Sequence, residues 1–164
     1  MKKLILTIAL FSAFIISCND IKNQNSETVK TAEDGHKHEM EEMAAETHSM
    51  DNAWVKDIKL DGDSKWQANT ETTEGVDKML NLVKSNDPKS VEDYHNLASK
   101  LNDEKNVLVK KCTMKGPSHD NLHVFLHPLI EKIEALGKVS TPDEGSEIKA
   151  SIKENLEGYY NYFQ

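Results

Sequence analysis

From about residue 72 to the C-terminus, apolar residues recur at helical spacing in four stretches, separated by breaks of a few residues rich in Pro, Gly, Asn or Ser. Such stripes leave water only by packing against one another, and short connections make sequence neighbours antiparallel. The pattern predicts an all-α chain folded as an up-down four-helix bundle. The first helix spans about Thr72 to Lys84, with Val76, Met79, Leu80 and Val83 on one face. The second begins after Asp87, with Pro88 in its first turn, and aligns Val91, Tyr94, Leu97, Ala98, Leu101, Leu108 and Cys112. Gly116-Pro117 breaks it, and Ser118 is placed to cap the third helix. That helix turns Leu122, Phe125, Leu126, Leu129, Ile130, Ile133 and Leu136 inward and stops at Gly137. Pro128 lies inside it and should kink it, because proline removes a backbone hydrogen bond. Thr141-Pro142-Asp143-Glu144 reads as a capping box for the fourth helix, which buries Ile148, Ile152, Leu156, Tyr159 and Phe163. About 110 ordered residues are enough for one domain.

Ahead of the helices, residues 54–67 alternate around Asp61-Gly62, which predicts a short β-hairpin. A lone hairpin is marginal, so Trp54 or Trp66 should pack on the body behind it. Residues 18–51 are polar and acidic, cannot bury a core, and read as a disordered tether. The domain proper is expected over 52–164. At the front, Lys2 and Lys3 precede the apolar run Leu4 to Ile16, too short for a good membrane span but suited to an export signal over 1–17. Ile15-Ile16-Ser17-Cys18 resembles the lipobox of bacterial lipoproteins. The resemblance implies cleavage before Cys18, lipidation of Cys18, and a protein exported and anchored to a bacterial membrane, in the periplasm or at the cell surface. An ordinary secretory signal with a chance cysteine is the alternative.

Net charge limits the partners. With Lys2 and Lys3 removed, 18 of the 20 basic residues face 28 acidic ones, and the chain has no arginine. Nucleic-acid binders are basic and lean on arginine for phosphate, so nucleic acid is excluded as a partner.

The chemistry concentrates between residues 112 and 127. Cys112, Met114, His119, His123 and His127 place a thiol, a thioether and three imidazoles in one short segment. Thiolate and thioether select copper(I), and imidazole serves copper or zinc. On a helical wheel His119 falls about 40° from the apolar centre of the third helix, His123 about 80° and His127 about 120°. His119 and His123, at i and i+4, can therefore meet one metal at the inner edge, while His127 points to solvent. Cys112 closes the second helix and Met114 rides the turn, so Cys112, Met114, His119 and His123 form the leading ligand set at one bundle end. Asp120 could orient a ligand histidine or simply favour the helix start. Taken singly, Cys112 reads as a buried small residue and Met114 as a packing plug. With Cys18 consumed by lipid, the second of two cysteines has no intramolecular partner outside the cytoplasm. Weaker candidates are His95, His127, and the tether residues His36, His38, Met40, Met43, His48 and Met50. The tether holds three of the seven histidines and three of the six methionines. Such tracts resemble those of exported copper- and silver-handling proteins; random composition is the alternative.

Residues 66 to 127, from Trp-Gln-Ala-Asn-Thr-Glu-Thr-Thr-Glu-Gly to Cys-Thr-Met-Lys-Gly-Pro-Ser-His-Asp-Asn-Leu-His, look like a group of small exported lipoproteins with a helical domain, associated with heavy-metal handling. The expected function is a non-enzymatic, membrane-anchored copper(I)-binding protein for buffering, resistance or transfer to a metal-transport or chaperone protein. Zinc fits Cys112, His119 and His123 but has little use for Met114. Haem held in the bundle is the second reading, and a structural or interaction lipoprotein the third. No nucleophile-base set, phosphate loop or spaced acidic pair points to an enzyme.

Overall fold

The computed structural model describes residues 50–164. Four long helices run through them: α1 (Thr70–Ser85), α2 (Val91–Lys111), α3 (Pro117–Leu136) and α4 (Pro142–Tyr162). Each packs on the next and α1 also packs on α4, which closes the four into a bundle. The connections 86–90, 112–116 and 137–141 are short, so each reverses the chain. Val76, Met79, Leu101, Leu108, Phe125, Leu129, Ile152, Leu156 and Tyr159 fill the interior. Each such side chain withdrawn from water contributes about 1.5–3 kcal/mol. The α1–α2 approach is close because Gly75 lacks a side chain: a Cβ there would stand 2.9 Å from the Leu108 Cβ.

The helix starts depart from expectation at two places. Pro88 is buried ahead of α2 rather than in its first turn; Ser90 caps instead. Its hydroxyl accepts from the Asp93 N–H at 3.2 Å while the Asp93 carboxylate accepts from the Ser90 N–H at 2.9 Å, a reciprocal pair that outcompetes a proline start. At α3 the cap is Gly116, at φ 62°, and Pro117 is the first helical residue, where its missing N–H costs nothing. Ser118 is thereby inside the helix, and its hydroxyl donates to the Lys115 carbonyl at 3.2 Å. The helix α3 continues past Pro128 as one element, although proline offers no N–H to its ladder. At α4 the Thr141 hydroxyl accepts from the Glu144 N–H at 3.2 Å, and the Glu144 carboxylate reaches Ser140 N–H at 2.9 Å, one residue beyond the box position.

The hairpin expected over 54–67 does not appear as paired strands. The Asp61-Gly62 signal does make a tight turn, with Gly62 at φ 60° and Asp61 and Ser64 exchanging backbone bonds of 2.9 and 3.0 Å. The flanking chain serves other partners. Ala53–Lys56 coils into a 3-10 turn that buries Trp54, whose indole meets Phe125 edge-on at 5.5 Å and Tyr162 at 5.8 Å. Trp66 pairs with the C-terminus: its N–H donates to the Tyr162 carbonyl at 2.8 Å, and the Gln164 N–H donates to the Trp66 carbonyl at 3.0 Å. Burial of Trp54 against Phe125 and Tyr162, and of Ile58, outweighs a two-stranded ribbon that would bury little.

This segment is held by a buried amine. Lys132 on α3 is 0% exposed. Its Nζ donates to Asn155 Oδ1 at 2.9 Å and to Asn52 Oδ1 in a short bond. Asn52 also accepts from Trp54 Nε1 at 3.2 Å and donates to the Ser151 carbonyl at 3.1 Å. It is the sole non-glycine residue with positive φ, 52°, among the described residues, a conformation asparagine tolerates. Met50 is half-buried against the core, and its carbonyl accepts from the Ser151 hydroxyl. Among the described residues no helix is long and apolar enough to cross a membrane.

Candidate metal centre

α3 carries three histidines one turn apart, and the structure stacks them. The His119 and His123 rings meet edge to face, 4.5 Å between centroids and 86° between planes. His123 and His127 repeat this at 5.3 Å and 88°. His123 Nδ1 and His127 Nε2 share a hydrogen bond at 3.3 Å. The ladder follows from i, i+4 spacing on a continuous helix, which brings successive rings over one another. His119 is half-buried, and His123 and His127 are exposed. Partial burial, chiefly, and then the neighbouring His119 and His127 rings hold the His123 pKa below the usual histidine value, against an opposing pull from Asp120. A neutral imidazole is the ligating form.

The sulfur residues sit apart from these rings in character. Cys112 caps the end of α2 in extended conformation; it is a free thiol, half-buried, and packs against the core. Burial raises the Tyr159 pKa above its ordinary value, against the hydrogen bond it shares with Thr73. Met114 is half-buried and packs against the same core. Asn69, at the start of α1, holds this corner: its amide donates to the Lys111 carbonyl at 3.3 Å, at the last turn of α2. Among the described residues, no three His, Cys, Asp or Glu side chains gather into a group that could hold a metal ion. Thiol and thioether on the 112–116 connection thus pack against the core, while the imidazoles lie on α3, His119 half-buried and His123 and His127 exposed.

The other candidates divide. His95 stands in the first turn of α2, at the opposite bundle end, about 25 Å along the helix from Cys112. Its Nε2 donates to the Val139 carbonyl at 3.0 Å, so it ties the α3–α4 connection rather than joining the corner. His127 was expected to point to solvent; it does, but it also engages His123. Met50 is occupied in packing at the entry to the domain. Cys18, His36, His38, Met40, Met43 and His48, with the expected signal and most of the tether, lie outside the described residues. Sequence reasoning missed Lys132. Its position among Leu129, Ile133 and Leu136 on the wheel was the available signal, masked by the habit of placing charge in water.

In comparisons with known proteins, no family model, no curated protein and no solved structure matches the chain.

Proposed function

We propose that this chain is an exported lipoprotein, anchored through Cys18, that binds copper at the α2–α3 corner for buffering, resistance or transfer to a metal-handling partner. The observation that carries the reading is the edge-to-face ladder of His119, His123 and His127, which starts in the first turn after the connection holding Cys112 and Met114. Soft sulfur donors with imidazoles suit copper(I). Side-chain rotation at Cys112 and Met114 from the core toward His119 would assemble the set, a motion open to half-buried residues in a connection. The surface position of the described histidines favours this over haem between the helices, which needs an imidazole aimed into the core. His/Met composition upstream and the lipobox-like Ile15-Ile16-Ser17-Cys18 support the export and collection parts of the reading.

The test is an anaerobic copper(I) titration against a competing chromophoric chelator. About one tight equivalent should bind at the corner and be lost on Cys112→Ser. Equal copper(I) binding by wild type and Cys112→Ser refutes the corner site.

A further inference from the structure

We propose that His123 and His127 form a second, sulfur-free metal site on the outer face of α3, which takes a borderline divalent ion, Zn²⁺ or Cu²⁺. His123 Nδ1 and His127 Nε2 stand 3.3 Å apart. Two imidazole nitrogens bound to one tetrahedral ion at about 2.0–2.1 Å are separated by about 3.3–3.4 Å. An ion seated off the line between these nitrogens meets both at bonding distance once the rings tilt toward it, without a shift of the helix. Both residues are exposed, so water or a donor from an incoming molecule can complete the coordination sphere, and the entry path is solvent itself.

His119 is not needed for this pair. It meets His123 in a T-shaped contact, with centroids 4.5 Å apart, on the side toward the α3 start. His123 is thus common to the copper(I) corner and to the divalent pair, and the two sites compete for it. The divalent site does not depend on Cys112 or Met114, so it stands or falls separately from the copper(I) reading.

The test is a Zn²⁺ titration of the full chain carrying Cys112→Ser, followed by nitrogen shifts of each histidine ring in NMR spectra. Cys112→Ser removes the copper(I) corner, so only the imidazole site is read. The first Zn²⁺ bound should move His123 Nδ1 and His127 Nε2 together. His127→Ala should weaken Zn²⁺ binding at His123 by about tenfold or more, since loss of a direct ligand costs at least as much as loss of its supporting contacts. His119→Ala should leave it within about twofold. His127 is exposed and His119 half-buried, and both variants should keep the helical circular-dichroism signal, which is checked alongside. The proposal is overturned if Zn²⁺ shifts only the tether histidines His36, His38 and His48, or if His119→Ala weakens binding as much as His127→Ala.

Discussion

Lys132 makes the stability of this bundle depend on pH in an unusual direction. Burial pushes its amine from the ordinary 10.5 down to about 8, against the pull of Asp51, Glu154 and Glu131. Below pH 8 both folded and unfolded chains hold the proton, and the fold bears the full cost of burying the charge. Between pH 8 and 10.5 the unfolded chain keeps the proton while the folded chain releases it, so the unfolded state binds more protons and stability rises with pH. At about 1.4 kcal/mol per pH unit the whole effect is about 3 kcal/mol, of which about 2 kcal/mol falls between pH 7.5 and 9.5. The neutral amine still donates to Asn52 and Asn155, so the network survives the loss of charge. Tyr159 and Tyr160 set the upper edge. Burial raises both above 10, so above that pH the folded chain holds protons the unfolded chain has lost, and stability falls again. Urea unfolding followed by circular dichroism at pH 7.5, 8.5 and 9.5, with reductant present, measures the slope. Wild type should gain about 2 kcal/mol over this range while Lys132→Met stays flat. A wild-type curve parallel to that of Lys132→Met would sink the argument that the amine is charged and buried at neutral pH.

Other substitutions test packing and caps. Gly75→Ala should destabilise by about 1–3 kcal/mol, because its Cβ would press into Leu108 and force α1 from α2; an unchanged urea midpoint would show that the helices can part freely. Trp54→Ala should cost about 3–5 kcal/mol by emptying the site against Phe125 and Tyr162. A loss under about 1 kcal/mol would mean that the entry segment is only a linker. Ser90→Ala should cost about 1 kcal/mol in thermal or urea unfolding, since the Asp93 N–H loses its acceptor; Ser90→Gly should recover most of that.

The helices were legible because their signal is local. Val76, Met79 and Val83, or Leu122, Phe125, Leu126, Leu129 and Ile133, repeat at the helical period, and all are buried. The candidate site was legible only as composition. Cys112 and Met114 lie on the connection and His119 in the first turn of α3, yet which way each side chain turns depends on the core it meets. His123 was expected at the inner edge and is exposed, with His127 as its hydrogen-bond partner, because the core stripe of α3 is narrow enough to leave that flank to solvent.

By itself the sequence determined four amphipathic helices, their connections and a segment rich in soft donors, since periodicity and turn chemistry act over a few residues. Only the tertiary structure decided where residues 50–68 lie. Their backbone bonds go to Tyr162 and Gln164, and their side chains to Phe125, Ser151 and Lys132, partners far along the chain that no local pattern names. The burial of Lys132 was decided in the same way. A charge on an apolar face is tolerable only when acceptors arrive from elsewhere, and Asn52 and Asn155 come from two other elements of the fold.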